Sequence, residues 1–440
     1  MAFDFSVDPE FQVKLDWMKK FVKEEIKPLD LVWPHDVFKK FTPQQEAIIA
    51  PLMQAVRDQD LWACHLGPEL GGQGYGQVKL ALMNEILGTT SWGPRIFGTQ
   101  APDTGNAEIL AHFGTPEQKE QFLAPLLDGK IVSCFSMTEP QGGSDPGIFT
   151  TTAVKDGEFW VINGRKIWSS NARWASFFIT MVVTEPGAPL TKRMSMFLLP
   201  ADTPGINIAY NFGVEGEGPD DISEALIHYE NVRVHESAIL GGAGNAFAVA
   251  QTRLGGGRVH HGMRTIGRCQ ELLDQMAERV LSRTTKGELM SEKQAIQMKI
   301  ADSYIELQQL RLLVMYTAWQ IDQYQDYYKV RKDIAAIKVQ MTRVYNNIAQ
   351  RALNIHGAIG TSTALPFVQA VRGAAVMGLA DGPTEVHQVT VSKQVLRDYK
   401  GSPTTFPTYL IPNLKADAEE KLFGKSTTPR VPDRTDLQAK

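Results

Sequence analysis

The stretch VMGLADGPTEVHQ, residues 376–388, places a carboxylate where a helical pattern is interrupted. Asp381 is followed by Gly382 and Pro383, residue types that end or begin helices. A carboxylate at such a break can act as a general base toward a bound molecule. The same residues also suit an ordinary helix start, with Gly382 as N-cap and Glu385 three residues later. Asp381 would then be only a favourable charge near a helix N-terminus.

Two other short stretches combine residue types that could contact a flat, partly apolar ring. SMTEPQGGSD contains Thr138 and Ser144, and KIWSSN contains Trp168 and Ser170. A large aromatic face can pack on such a ring. Taken alone, however, Thr138 reads as the end of a strand before a turn, Ser144 as a turn serine and Trp168 as a core residue.

Composition excludes several classes of protein. The chain has 440 residues, a formal net charge of −4 at pH 7 and basic residues spread along its length, so DNA and RNA are not expected partners. Its three cysteines, Cys64, Cys134 and Cys269, form no Cys-x-x-Cys pair, so we expect no metal site and a reducing compartment. The N-terminus has no targeting pattern and no apolar run has the length of a membrane span. We therefore expect a cytoplasmic protein.

The periodicity of apolar residues divides the chain into three parts and a tail. Helical spacing dominates residues 1–130, short β-branched and aromatic segments fill 131–240, and helical spacing returns over 241–400. The tail, 401–440, is rich in prolines and charges, and we expect it to be extended or loosely packed. In the third part we expect a bundle of long helices. Their predicted ranges are 245–282, 291–323, 329–356 and 366–399.

Five motifs in a fixed order resemble those of acyl-CoA dehydrogenases, and the resemblance covers the chain from about residue 10 to residue 400. The motifs are GTPEQK at 114–119, SMTEPQGGSDPG at 136–147, INGRKIWSSNA at 162–172, YENVRV at 229–234 and GAIGTSTALPFVQAVRGAAVMGLADGPTEVHQ at 357–388.

This resemblance implies a mainly α fold with an N-terminal helical domain, a middle β-barrel-like domain and a C-terminal four-helix bundle. It also implies noncovalently bound FAD and the oxidation of an acyl-CoA to the trans-2-enoyl-CoA, a step of fatty acid β-oxidation. We further expect an electron-transfer flavoprotein as the electron acceptor and a homotetramer or homodimer as the assembly.

The resemblance assigns flavin contacts to the middle domain. Met137 and Thr138 match positions that meet the pyrimidine edge of the flavin, through a backbone amide and a hydroxyl. Ser144 matches a contact with the cofactor or with the CoA part of the substrate. Trp168 matches the tryptophan that packs on the isoalloxazine ring, and Ser170 matches a hydroxyl near its reactive nitrogen.

A second group of cofactor contacts is implied for the C-terminal part. Arg283 and Thr285 match the place where a neighbouring subunit reaches the FAD pyrophosphate, and an arginine fork suits a diphosphate. Lys286 stands where the family often has an aromatic residue, which changes the adenine contact and adds a positive charge. Gly357 matches a glycine that lets the backbone approach the cofactor. We expect His356 beside it to be packed.

Asp381 matches the family's catalytic base for the substrate α-proton, with its backbone N–H polarising the thioester oxygen. Most relatives have glutamate here, and an aspartate is shorter by about 1.5 Å, so the backbone or the substrate must sit differently. Some relatives place a glutamate instead just before an arginine on an earlier helix. Here that position is Gly257, before Arg258. We assign Arg258, Gly382 and Ser144 to the substrate site.

The order Asp-Gly-Pro-x-Glu-Val-His resembles one branch of the family, associated with long, branched or 4-oxygenated acyl-CoAs. The glycines at 255–257 would leave room for a bulky acyl chain.

Two alternatives remain open. A nitroalkane-oxidase-like flavoenzyme would pair an aspartate base with an arginine about two helical turns further on, whereas after Asp381 the first cation is Lys393. A non-catalytic acyl-CoA-binding homologue would not need the flavin contacts.

Overall fold

The computed structural model describes residues 5–68, 72–213 and 224–432. The chain divides into two compact units, Met1–Gln388 and Val389–Lys440. Along the chain a helical part is followed by a sheet and then by long helices. The order predicted from the sequence is therefore confirmed.

The N-terminal part is helical. Its helices are α1 (Pro9–Phe21), α2 (Lys27–Val32), α3 (Pro43–Asp58), α4 (Gly76–Leu87), α5 (Gly93–Ile96), α6 (Asp103–Phe113), α7 (Pro116–Gln118) and α8 (Ala124–Leu127). A capping box begins α7, because the Thr115 side chain accepts from the Gln118 backbone and the Gln118 side chain accepts from the Thr115 backbone. A π-helical turn, Lys119–Leu123, continues α7 into α8.

In the part of the chain that is described, the middle is one eight-stranded sheet. Its strands are β1 (Ser133–Ser136), β2 (Thr152–Asp156), β3 (Phe159–Ser170), β4 (Phe177–Val183), β5 (Met194–Pro200), β6 (Ile206–Phe212), β7 (Glu224–His235) and β8 (Ile239–Leu240). They lie in the order β6-β7-β3-β2-β4-β5-β8, and β1 pairs parallel with β4.

Strand β4 is buried along its whole length because both faces of the sheet are covered there. Successive side chains of a strand point to opposite faces. Phe177 and Ile179 join an apolar cluster that includes Ile109 of α6, whereas Phe178 and Val182 join a cluster formed by other strands of the sheet. The β part is thereby fixed against the N-terminal helices.

The C-terminal part consists of long helices. They are α9 (Ala246–Ser282), α10 (Gln294–Tyr324), α11 (Tyr327–His356), α12 (Phe367–Met377) and α13 (Thr384–Leu396), and a small hairpin of β9 (Thr284–Thr285) and β10 (Glu288–Leu289) follows α9. The first three predicted ranges agree with these bounds, and the fourth is divided into α12 and α13. No helix among the described residues has both the length and the apolar character needed to cross a lipid bilayer.

Helix α9, which carries much of the site, lies backbone to backbone against α4. A Cβ on Gly267 would overlap the carbonyl oxygen of Glu85, and one on Gly88 would overlap that of Arg264. The Arg264 side chain then reaches the amide oxygen of Asn84 at 2.8 Å. Any larger residue at either glycine would push α9 away from the N-terminal helices.

The tail contains a helix, α14 (Ile411–Phe423), so the expectation of an extended tail is wrong over these residues. Pro412 lies in the first turn, where proline is compatible with a helix. Glu419 accepts hydrogen bonds from the backbone N–H groups of Thr427 and Thr428, at 2.7 and 3.0 Å, which folds the following segment back on α14.

Candidate active site

Trp168 lies in a β-bulge of β3. The register of β3 against β7 shifts between Lys166 and Ser169, and Trp168 takes a left-handed conformation there, with a φ of 56°. Its side chain is 53% exposed, and its ring centroid lies 5.4 Å from that of Phe212. The bulge thus turns the ring out of the sheet, and the alternative of a core tryptophan is wrong.

The segment that carries Met137 and Thr138 runs beside this bulge. The N–H of Ile167 donates to the carbonyl of Thr138 at 2.9 Å. Lys166 donates from Nζ to the carbonyl of Met137 and to Oε1 of Glu139, both at 2.8 Å. The two charged side chains are at most 1% exposed. A buried ion pair therefore fixes the backbone of the predicted flavin-contacting segment.

Both members of this pair are ionised at neutral pH. Burial alone would raise the pKa of Glu139, but the charge of Lys166 and hydrogen bonds from the backbone N–H groups of Thr150 and Thr151 lower it. Burial lowers the pKa of Lys166 to about 8, with Glu139 opposing the shift. Charge and hydrogen bonding together hold the segment in one conformation.

The two predicted serines have different surroundings. Ser170 donates from Oγ to the carboxylate of Glu224, at 2.8 and 2.9 Å from its two oxygens. A hydroxyl has one proton to donate, so Ser170 can only accept from another group while this bond lasts. Ser144 is exposed. It follows Gly143, where a Cβ would lie 3.4 Å from Cγ2 of Thr138, so its loop borders the same segment.

Arg283 and Gly357 are neighbours in the structure although they are distant in sequence. Gly357 follows α11 with a φ of 69°, and a Cβ there would lie 3.8 Å from Nη1 of Arg283. Arg283 directly follows α9, and Thr285 lies in the hairpin that comes next. Within the described ranges, no hydrogen bond, ion pair or ring contact joins this pair to Trp168. The structure therefore brings the predicted cofactor residues together as two groups.

His356 is packed, as expected. It is 7% exposed, and its ring centroid lies 4.3 Å from that of Phe367. Its Nδ1 donates to the carbonyl of Ala352 at 2.8 Å.

Asp381 lies in the turn between α12 and α13. The N–H of Thr384 donates to the carbonyl of Gly378 at 2.9 Å and closes this turn. Inside it, Asp381 and Gly382 both have positive φ values, 55° and 105°. Aspartate tolerates the left-handed region better than most residues with a side chain. The two left-handed residues therefore interrupt the helical path between α12 and α13.

Side chains from three helices hold this turn in place. Arg258 of α9 donates from Nε to the carbonyl oxygen of Asp381 at 3.0 Å, and His387 of α13 donates from Nε2 to the same oxygen at 3.2 Å. Lys338 of α11 donates at 2.7 Å to two carbonyl oxygens, those of Met377 and Ala380. The orientation of Asp381 is thus set by groups outside its own segment.

The carboxylate of Asp381 is surrounded by donors and positive charges. His261 Nε2 lies 3.3 Å from its Oδ2. Burial alone would raise the pKa of Asp381, but the hydrogen bond from His261 and the charges of Arg253 and Lys338 outweigh burial and hold the pKa well below its usual range. The group is ionised at neutral pH.

The glycines at 255–257 make room for protein side chains. A Cβ on Gly255 would lie 3.2 Å from the side chain of Tyr327. A Cβ on Gly256 would lie 2.7 Å from Oε2 of Glu108, and one on Gly257 would lie 3.3 Å from Oδ2 of Asp381. The expectation that these glycines leave space for a bulky acyl chain is wrong, because these side chains fill it. Glycine at the third position lets the carboxylate approach α9.

Several residues of this site were not predicted from the sequence, among them His261, Lys338, Arg253 and Glu108. A local signal exists only for His261, which follows Arg258 by three residues and therefore shares its helix face. Lys338 lies on another helix, 43 residues before Asp381, so nothing in the local pattern links them.

Models of one protein family match nearly the whole chain. Residues 9–130 match the acyl-CoA dehydrogenase N-terminal domain, residues 134–231 the middle domain and residues 244–396 the C-terminal domain.

The chain is also similar to curated proteins with related names. It is 40% identical to "Probable acyl-CoA dehydrogenase FadE2" from Mycobacterium tuberculosis, over 81% of this chain and 87% of that protein. It is 32% identical to (R)-benzylsuccinyl-CoA dehydrogenase from Thauera aromatica, over 90% of this chain and 97% of that protein. Acyl-CoA dehydrogenase family member 10 from Mus musculus is 34% identical over 89% of this chain, which corresponds to 37% of that longer protein.

Solved structures share the fold. An acyl-CoA dehydrogenase candidate from Mycobacterium abscessus superimposes with a TM-score of 0.83 at 34% identity, over 90% of this chain and all of that chain. Butyryl-CoA dehydrogenase from Megasphaera elsdenii superimposes with a TM-score of 0.76 at 23% identity, over the same shares of the two chains.

Proposed function

Because this chain belongs to the acyl-CoA dehydrogenase family, we propose that it is an FAD-dependent enzyme that converts an acyl-CoA to the trans-2-enoyl-CoA, with Asp381 as the base. One observation carries this proposal. An ionised carboxylate lies at a helix break, with its backbone fixed by Arg258 and its side chain held by His261. A helix start alone would not require side chains from three helices to hold the turn around a partly exposed, ionised carboxylate.

The residues present suit FAD, the cofactor of this family. The ring of Trp168 is half exposed on the β domain and offers a face to a flat aromatic system. The neighbouring segment is held at Met137 by the hydrogen bond from Lys166. This favours a backbone contact between that segment and the edge of the flavin ring. Arg283 beside Gly357 combines a guanidinium with a backbone position that has no side chain, an arrangement suited to a diphosphate.

The chain's own groups divide the chemistry between them. Asp381 would take the α-proton, and its carboxylate lies close to α9 at Gly257. When bound, FAD supplies the acceptor for the hydride that leaves the β-carbon. The positive charges of Arg253 and Lys338 would stabilise negative charge that develops on the thioester as the proton leaves. An electron-transfer flavoprotein as acceptor and a homotetramer or homodimer as the assembly remain part of the proposal.

A titration with substrates under anaerobic conditions tests this function. Straight, branched and 4-substituted acyl-CoAs are added to the purified protein while the visible absorbance of the flavin is recorded. We expect at least one of these thioesters to bleach the flavin. A yellow protein that only a nitroalkane bleaches would favour the nitroalkane-oxidase-like alternative. A protein that cannot be reconstituted with FAD would favour a non-catalytic acyl-CoA-binding homologue.

The pH dependence of flavin reduction should respond to His261. The ionisable groups that face Asp381 or its carbonyl are His261, Arg253 and Arg258 of α9, Lys338 of α11 and His387 of α13. A base works in its deprotonated form, so activity is lost as the pH falls through its pKa. Since His261 lowers the pKa of Asp381, replacing it with leucine should move the acid limb of the kcat/KM profile to higher pH.

The control for this experiment is His261→Gln, which keeps a hydrogen-bond donor of similar reach but cannot be protonated. We expect its acid limb to lie between those of the natural protein and His261→Leu. An acid limb that stays in place in both variants would show that His261 does not set the ionisation of the base.

A further inference from the structure

Glu224 begins β7 and takes no part in the proton abstraction proposed above. In the sheet it is paired with Ser170 of β3 on one side and with Phe212 of β6 on the other. The ring centroid of Phe212 lies 5.4 Å from that of Trp168. Three neighbouring strands therefore bring a carboxylate and a hydroxyl close to the exposed ring that we propose packs on the flavin.

The hydroxyl of Ser170 is committed to this carboxylate. Its Oγ lies 2.8 and 2.9 Å from the two carboxylate oxygens of Glu224. Glu224 is partly exposed, and a carboxylate that water reaches is ionised at neutral pH. An ionised carboxylate accepts hydrogen bonds and has no proton to donate. The single proton of the serine hydroxyl therefore points to Glu224, and Oγ presents only lone pairs to a third group.

The neighbouring serine, Ser169, has a different role. It is fully buried, and its Oγ lies 3.0 Å from that of Ser136 in the interior of the sheet. Tyr229 donates to the same Ser136 hydroxyl at 2.9 Å. Since successive side chains of a strand point to opposite faces, Ser170 points away from this interior network.

The direction of the Ser170 proton matters because a flavin changes its hydrogen bonding on reduction. At its reactive nitrogen, the oxidised ring has a lone pair and accepts hydrogen bonds, whereas the reduced ring has an N–H and donates them. Ser170 is predicted to lie at this nitrogen. A hydroxyl that can only accept is matched to the reduced ring, and with the oxidised ring it would leave two lone pairs facing each other.

We propose that Glu224 is a positioning residue that acts through Ser170 to favour the reduced form of the bound flavin. This inference rests on the proposed function and on the predicted contact of Ser170. The electron pair and hydrogen that leave the β-carbon go to the flavin as in the proposed reaction, and neither Ser170 nor Glu224 gains or loses a proton. A hydrogen bond that forms only with the reduced ring raises the reduction potential of the flavin and assists oxidation of the substrate.

The negative charge of Glu224 acts in the opposite direction. Reduction adds electrons to the flavin ring, and a nearby negative charge disfavours this. The two effects can be separated, because the charge acts with or without the serine hydroxyl, whereas the direction of the proton acts only through it. A double-mutant cycle measures such a dependence of one residue on another.

The test is this cycle on the FAD-loaded protein, with the midpoint potential of the flavin measured against a redox dye and a chemical reductant. Glu224→Gln is made in the natural protein and in Ser170→Ala. Glutamine can both donate and accept, so it no longer fixes the direction of the serine proton. Beyond its effect in Ser170→Ala, Glu224→Gln in the natural protein should shift the flavin about tenfold toward the oxidised form, which is about 30 mV for a two-electron couple.

Two further variants keep the result interpretable. Glu224→Asp keeps the charge but draws the carboxylate back by about 1.5 Å, so it should lower the potential by itself, and it serves if Glu224→Gln does not load FAD. Glu230→Gln is the matched control, since it neutralises an exposed carboxylate six residues further along β7, about 20 Å away. It should leave the potential unchanged.

Equal shifts for Glu224→Gln in both backgrounds would overturn the proposal, because the carboxylate would then act by its charge alone. An unchanged potential in Ser170→Ala would also overturn it, since the hydroxyl would then not meet the reactive nitrogen. The potential is measured without acyl-CoA. A flavin that no thioester bleaches would therefore contradict the proposed function separately from this inference.

Discussion

Replacing Asp381 with asparagine is expected to slow the reduction of the flavin by acyl-CoA on the order of 10²- to 10⁴-fold, the usual contribution of a general base. The amide cannot accept the α-proton. Asparagine has the same size and is among the residues most tolerant of the left-handed conformation that this position requires. The turn and its bonds to Arg258 and His387 use the backbone carbonyl, so they should persist.

The measurement is single-turnover flavin reduction under anaerobic conditions, with FAD content determined from the ratio of visible to ultraviolet absorbance. Glu385→Gln is a matched control, since it neutralises an exposed carboxylate four residues further along the same segment. That variant should reduce its flavin at the natural rate. A rate for Asp381→Asn within tenfold of the natural one would exclude Asp381 as the base.

The interruption of the helix at Asp381 could be predicted from the sequence, but the side chains that hold this turn in place could not. Glycine and proline after Asp381 mark the interruption by local chemistry alone. Arg258 and Lys338 reach the turn from helices 123 and 43 residues away, a relation that depends on how α9 and α11 pack. Packing of this kind is fixed by side-chain volumes across the whole bundle and leaves no local pattern.

The bulge at Trp168 shows a similar limit. The sequence identified the tryptophan and the strand, but a strand pattern alone makes it a core residue. Its exposure arises from a register shift against β7 and a positive φ at a residue that is not glycine. Such a shift is imposed by the partner strand. The resemblance to a family predicts a flavin contact for this tryptophan, and its exposure is compatible with that role.

The glycines at 255–257 correctly predicted that another group lies close to the backbone of α9. The prediction that this group is the acyl chain was wrong. Glycine in a helix signals that something lies near the backbone. The sequence cannot say whether that is a ligand or another part of the protein, and here Tyr327, Glu108 and Asp381 occupy the space. One of these is the proposed base, so the glycines still serve the site.

The second large effect is expected for Lys166→Met. This change removes the positive partner of Glu139 and leaves a carboxylate that is almost inaccessible to solvent. Removing one member of a buried ion pair typically costs about 3–5 kcal/mol, which should appear as a clear drop in the thermal unfolding midpoint. Because Lys166 also holds the carbonyl of Met137, the variant should lose FAD more readily on dilution.

The matched control is Lys155→Met, since Lys155 pairs with Glu236 at 2.9 Å on the exposed surface of the same sheet. Solvent screens such a pair, so the midpoint and the FAD content should hardly change. Adding Glu139→Gln to Lys166→Met removes the orphaned charge and should restore part of the midpoint, but not FAD retention, since the bond to Met137 stays lost. Equal midpoints for the two lysine variants would show that the ion pair does not hold the flavin segment.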